Sequence, residues 1–332
     1  MVPLSLPKTI VLCYEDRHDW TQASTLPLAA EAARCLAPKA DIELAARLVS
    51  ANGMEAVHLP LMSVSQKEIV STLKRHPMSM LWNVTDGLTV FCGSLIPSFG
   101  KILKIPTFGS STYVQGLCQN KHHWRAVLET NGIRCLPGAV VRQGAQDERH
   151  RIEQLAPPLF VKVATYGNNA GFAVASPIAV SHQEAFAKAR HLLDGGLGPV
   201  LVEEYAAGRE YSVWCFETQA WNTVVYEKVM DTPYLTTAAK DRSPHAGCYH
   251  LRQCEAAHIS ALALQVVAAL GIRDYVRLDI RESEEGVPYP IDVNTGAFLV
   301  GRSFELACTA LKGSPQAMFS ALVRQSWRRQ TS

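Results

Sequence analysis

No stretch of the 332 residues approaches about 18 uninterrupted apolar positions, which excludes a membrane-spanning helix. Neither sign of charge prevails, with 32 Lys and Arg against 30 Asp and Glu and no long block of either beyond the basic tail at 324–329. The footprint of a nucleic-acid-binding protein is therefore missing, and cations at the negative pole of a terminal helix account for the tail. No Cys-x-x-Cys pair occurs. Nine cysteines, an odd number, are scattered singly, which speaks against a disulfide frame or a zinc site and for small apolar residues in a reducing compartment. The eleven histidines, His122-His123 included, show no metal spacing, and no Ser-His-Asp or Cys-His arrangement is visible. Internal repeats and low-complexity tracts are lacking too. The start, Met1-Val2-Pro3-Leu4-Ser5, has no charged leader or small-residue cleavage site, so a cytoplasmic location is expected, with small molecules or protein as partners and neither nucleic acid nor membrane.

What is present suits a soluble α/β protein. A hydrophobic content of 48% over this length allows two or three subdomains with cores of their own. Apolar runs predict strands at 9–14, from Glu55, at 80–84 ending in Thr85-Asp86-Gly87, and at 105–111, with a helix from about 40 to 52 that closes at Gly53. A Rossmann-like parallel sheet over 1–117 follows. A helical stretch over 116–132 leads to a β-rich region with strands at 159–163 and 171–175 and a helix at 183–193, and 195–199 breaks the chain. Strands at 200–205 and 210–216, a helix at 256–270, an acidic hairpin and a helix at 315–327 complete the reading. Segments 118–198 and 199–332 are expected as two α+β subdomains.

The hairpin carries the chemistry. Arg277-Leu278-Asp279-Ile280-Arg281 and Pro290-Ile291-Asp292-Val293-Asn294-Thr295 flank a turn-rich Glu282-Ser283-Glu284-Glu285-Gly286, so pairing would set Asp279, Asp292 and Asn294 side by side. Such oxygen donors suit magnesium, which is held by one or two carboxylates and completes its shell with waters and nucleotide phosphates. Arg277 would reach the same phosphates. A solvated surface hairpin is the alternative, and other features of the chain decide against it. Lys162 lies in a β-run ahead of Gly167-Asn168-Asn169-Ala170-Gly171, where glycines let backbone amides approach an anion and asparagines tolerate positive φ. Glu203, at the end of one strand, and Glu210, at the start of the next, could accept hydrogen bonds from an adenine amino group or from ribose hydroxyls.

In this order, Ile105-Pro106-Thr107-Phe108-Gly109-Ser110-Ser111, Asn120-Lys121, Lys162 with its glycine–asparagine loop, Glu203 to Glu210, Arg277-Leu278-Asp279 and Asp292-Val293-Asn294-Thr295 resemble the ATP-grasp superfamily, and within it the D-alanine:D-alanine ligases and related carboxylate-amine ligases. The resemblance covers about residues 80–310. It implies an ATP-grasp fold, with two α+β subdomains sandwiching ATP, and an ATP-dependent ligase that joins a carboxylate to an amine, both expected to be amino acids, through an acyl phosphate. Lys121 and Lys162 would bind ATP phosphates under the loop of Gly167, Asn168, Asn169 and Gly171. Glu203 and the backbone at Tyr205 and Ala206 would read adenine, and Glu210 would hold the ribose. Asp279, Asp292 and Asn294 would hold Mg2+, or Mn2+ in its place. Arg277 would steady the acyl phosphate and the tetrahedral intermediate. Lys240 would approach the γ-phosphate, with Lys228 competing for that role, and Ser303 would bind the carboxylate of the attacking amino acid. A homodimer is a further family expectation.

The sequence also departs from the D-alanine ligase pattern. Asp292 stands for the usual glutamate, Asn168-Asn169 for serines and Asp241 for a tyrosine, while Phe298 lies near an oxyanion-hole glycine, leaving Gly296 or a shifted backbone to serve. Tyr14-Glu15-Asp16-Arg17-His18 replaces the glycine-serine-glutamate motif that seats the first D-alanine. A product other than D-alanyl-D-alanine, as in specialised metabolism, is therefore expected. A carrier-protein thiol or an imine-forming ketone as acceptor, or a nucleotide-binding protein without catalysis, are the other readings.

Overall fold

The computed structural model describes residues 6–33, 36–61, 63–76, 78–84, 92–144, 148–165, 176–236, 249–297 and 299–331. The expected turn at 85–87, the strand at 171–175, the loop residues Gly167, Asn168, Asn169 and Gly171, and also Lys240, Asp241 and Phe298 lie outside them.

Strands β1 (Thr9–Tyr14), β2 (Glu55–Pro60), β3 (Ser79–Asn83) and β4 (Thr107–Phe108) form the expected parallel sheet in the order β2-β1-β3-β4. Helices α1 (Arg17–Ala23), α2 (Ala29–Ala32), α3 (Lys39–Ala51), α4 (Gln66–Arg75) and α5 (Cys92–Leu103) occur between these strands. The expected strand over 105–111 shrinks to the two residues of β4. The short helix α1 is set by Asp16, whose carboxylate accepts from the backbone N–H of His18 and Asp19 and so caps its first turn.

The helical stretch expected over 116–132 is two helices, α6 (Thr112–Cys118) and α7 (Lys121–Thr130). Asn120 divides them: its backbone is extended and its side chain accepts from His122 and His123 N–H, which starts a new helix with Lys121 as its first residue. The second sheet, β5-β8-β6-β7, is antiparallel and combines β5 (Gly138–Val141), β6 (Leu159–Val163), β7 (Ile178–Ala179) and β8 (Val200–Glu204). Helices α8 (Glu148–Glu153) and α9 (His182–Asp194) belong to the same unit. Strand β8 lies past the expected division at 198, yet it is a central strand of this sheet. Trp20, Ala32, Ala33 and Leu36 pack into the sheet's core, so the segment after β1 leans on the second unit.

The third sheet, β11-β10-β9-β12-β13, is antiparallel: β9 (Glu210–Glu217), β10 (Trp221–Met230), β11 (Tyr249–Gln253), β12 (Tyr275–Glu282) and β13 (Pro288–Asn294). Strands β10 and β11 fall in a stretch for which the sequence reading offered no elements. Period-2 alternation gives the sheet two unlike faces. Tyr211, Val213, Cys215, Val276, Leu278 and Ile280 pack on α7 and on α10 (Ala257–Leu270). Ser212, Trp214, Phe216, Arg277, Asp279 and Arg281 lie on the other face. Its aromatic end is closed by Phe304 of α11 (Arg302–Ala310) and by α12 (Pro315–Thr331), which returns to the first sheet.

Trp82 is the keystone of that return. Its ring lies 5.1 Å from Phe319 and 5.7 Å from Phe108, and its indole N–H donates to the Tyr275 hydroxyl at 2.9 Å, so β3, β4, β12 and α12 meet on one side chain. Trp82→Ala is expected to cost about 3–5 kcal/mol in urea unfolding through the cavity it leaves, and Trp82→Phe clearly less. Equal, small losses for both variants would refute this role.

Candidate active site

The β12–β13 register sets Asp279 opposite Asp292 and Arg277 opposite Asn294. The three oxygen-bearing side chains are thus neighbours on two adjacent strands, as the hairpin reading expects. The ladder shifts directly after Asp279, where Ile280 pairs with Pro290 and Ile291 becomes an extra residue. This bulge turns the Ile291 carbonyl to Lys162, whose Nζ donates to it at 3.0 Å. The bulge was not legible in the sequence, because one inserted residue leaves the local composition unchanged.

Lys162 comes from the centre of the second sheet and Lys121 from the start of α7. Both reach the hairpin: Lys121 Nζ lies 3.4 Å from Asp292 Oδ1, and the Lys121 N–H donates to Ala164 O just after β6, which ties the helix start to that strand. Lys162 also pairs with Glu203 of β8, which accepts from Arg125 at 2.8 Å through its other oxygen. Burial pushes the Lys162 ammonium below the ordinary lysine range, and Lys121 and Arg125 add to that, while Glu203 pulls the other way. Glu203, expected to read adenine, thus has both carboxylate oxygens on cations. Arg125 lies one helical turn after Lys121, and that i, i+4 spacing is the signal by which it could have been found.

Glu210 is likewise held by two cations. Its Oε1 accepts from Lys228 Nζ at 2.7 Å and its Oε2 from Arg281 at 2.9 Å. Lys228 also lies 2.8 Å from Asp279 Oδ2. For Lys228, burial is the largest influence and acts downward, but Asp279, Glu210 and Tyr249 together outweigh it and hold the ammonium above its ordinary range. Lys240, its rival for the γ-phosphate, lies outside the described residues.

Arg281 was given no role in the sequence reading, although alternation places it with Arg277 and Asp279. Its guanidinium lies 4.7 Å from the centre of the Tyr205 ring and donates to the Tyr205 hydroxyl at 2.6 Å and to Pro233 O at 2.7 Å. The same hydroxyl donates to Pro233 O, and the ring stacks on Phe160. Ala206 follows, buried. The linker then passes the hairpin so closely that only glycine fits: a Cβ on Gly208 would come within 2.3 Å of Ser283 O. Ser303 is the second residue of α11, half-buried, just after Gly301 with φ of 80°.

The donor set fits a hard divalent ion. Asn294 Oδ1 is buried with no hydrogen-bond partner, beside two carboxylates on a polar face. Among the described residues no three His, Cys, Asp or Glu come together, so these two aspartates and one amide would share the ion with an incoming ligand. Around them, Lys121, Arg125, Lys162, Lys228, Arg277 and Arg281 outnumber Glu203, Glu210, Asp279 and Asp292, a balance suited to a polyanion.

Residues 127–324, more than half of the chain, match the family model described as the D-ala D-ala ligase C-terminus. The D-alanine–D-alanine ligase of Clostridium beijerinckii is 26% identical over 200 residues, covering 60% of this chain and 65% of that one. Ligase B of Clostridium perfringens is 26% identical over 204 residues, again 60% and 65%. The match thus spans somewhat under two thirds of these relatives' length. The crystal structure of the Bacillus anthracis D-alanine–D-alanine ligase complexed with ATP superposes with a TM-score of 0.71 at 15% identity, covering 98% of this chain and 99% of that one. Through that matched C-terminal portion the chain belongs to the D-alanine–D-alanine ligase family, and its fold is the ATP-grasp fold of those enzymes.

Proposed function

We propose that this protein is an ATP-dependent ligase that phosphorylates a substrate carboxylate and passes the acyl group to an amine, forming an amide. The observation that carries the reading is the convergence of Asp279, Asp292 and Asn294 with Lys121 and Lys162, from four different elements, on one polar sheet face. Lys121 and Lys162 supply N–H donors that ATP phosphates would take over from Asp292 and Ile291. The backbone from Glu204 to Ala206 would meet the base, and Glu210, whose oxygens can each accept a further hydrogen bond, would meet the ribose. Mg2+ held by Asp279, Asp292 and Asn294 would neutralise phosphate charge. Arg277 offers a fixed cation to the charge that develops at the reacting carboxyl. Ser303, in the first turn of α11, is suited to the carboxylate of an attacking amino acid. Positioning and charge neutralisation then supply the catalysis, without a covalent enzyme nucleophile.

The substrates differ from a pair of D-alanines in this proposal. Where the D-alanine ligases seat the first D-alanine, this chain has Tyr14-Glu15-Asp16-Arg17-His18. The Asp16 carboxylate caps α1, and Arg17 donates to Leu36 O at 2.5 Å. A role in specialised metabolism, a cytoplasmic location and a homodimer belong to the same proposal.

The test is phosphate release from Mg-ATP with amino acids offered singly and in pairs, products being followed by mass spectrometry. The expected result is release that needs two substrates and yields their summed mass less water. Release with D-alanine alone, giving its dipeptide, would refute the substrate assignment. A product bearing a thioester would move the acceptor from amine to thiol.

A further inference from the structure

Lys228 bridges two parts of the site. Glu210 faces the nucleoside end through Arg281, Tyr205 and Pro233, and Asp279 belongs to the metal end. The Lys228 ammonium, its side chain only 6% exposed, contacts both carboxylates, at 2.7 and 2.8 Å. We propose that Lys228 is a positioning residue: a built-in cation that holds Asp279 in place and makes divalent-ion binding depend on the nucleotide. This rests on the reading of the site as one for ATP and a divalent ion.

The physical argument is electrostatic. An ion seated on Asp279 would lie within a few ångströms of the Lys228 charge, in a setting where burial weakens screening. Cations already outnumber carboxylates here, so a free divalent ion gains little by entering alone. A triphosphate reverses that balance, and it would enter beside Glu210 on the other side of the same lysine. The coupling is reciprocal: whatever the nucleotide adds to metal affinity, the metal adds to nucleotide affinity.

The experiment is Mn2+ titration followed by the electron paramagnetic resonance signal of the free ion, with and without a non-hydrolysable ATP analogue and with no acceptor substrate. In the wild-type protein the analogue is expected to tighten Mn2+ binding at least tenfold. In Lys228→Met, nucleotide-free Mn2+ binding is expected to be at least tenfold tighter than in wild type, and the gain from the analogue smaller. Structural damage would weaken binding, so the sign separates the two. Lys228→Arg, which can span both carboxylates, should behave as wild type. If Lys228→Met does not fold, Lys228→Gln carries the same expectation. A folded Met or Gln variant that binds nucleotide-free Mn2+ no tighter than wild type overturns the proposal and leaves the ATP-site reading intact. A wild-type protein that binds no Mn2+ even with the analogue overturns both.

Discussion

Asp292→Asn is expected to lower ATP-dependent product formation by about 10³-fold while the protein stays folded, because it removes one of the two carboxylates proposed to hold a divalent ion. The substitution keeps shape and volume and changes charge alone. Its cost to stability should be small, since the side chain is 31% exposed and its one described ion pair, to Lys121, is long at 3.4 Å. Asp292→Glu is the informative companion. It restores the longer acid that the related ligases carry, so activity within about tenfold of wild type is expected if reach alone distinguishes the two acids. The measurement is coupled-assay turnover beside circular dichroism of each variant. A protein that keeps its turnover as Asp292→Asn does not use this carboxylate for metal. A protein that never turned over ATP but kept its partner binding would be a scaffold.

The sequence made the hairpin legible because its parts are local: two short strands, a glycine turn between them, and acids at positions that alternation brings to one face. The parallel sheet was legible for a similar reason, since β1, β2 and β3 are apolar runs separated by helix-forming stretches. What escaped depends on pairings between distant residues. Glu203 reads as a strand-end acid free to meet a base, but the β6–β8 register sets it opposite Phe160, beside Lys162, and Arg125 approaches from α7. Nothing in the order of residues states that register. Arg281 escaped although its position in the alternation was visible, because its partners Glu210, Tyr205 and Pro233 come from separate segments. Lys228 was singled out for a phosphate, whereas the structure seats it between two carboxylates. Asn120 could have been read as a helix cap, and treating 116–132 as one helix concealed that Lys121 begins a new one.

Arg277→Met should lower kcat by about 10²- to 10³-fold, the loss typical of a preorganised group that stabilises charge present mainly in the transition state, with KM for ATP changed by less than about threefold. Arg277 shares its sheet face with Asp279 two residues away, faces Asn294 on one side and Trp214 on the other, and is only half-buried. That places a permanent charge beside the proposed metal end and away from the nucleoside end, where Arg281 is committed to Glu210 and Tyr205. Arg277→Lys keeps the charge but loses the planar fork, so partial recovery, well short of wild type, is expected. Steady-state kinetics at saturating ATP, with nucleotide affinity measured independently by calorimetry, separates the possibilities. A large rise in KM for ATP at unchanged kcat would make Arg277 a phosphate-binding residue of the ground state and remove it from the acyl-transfer step. A kcat loss at unchanged nucleotide affinity would place it at the reacting carboxyl, on the hairpin that also carries Asp279.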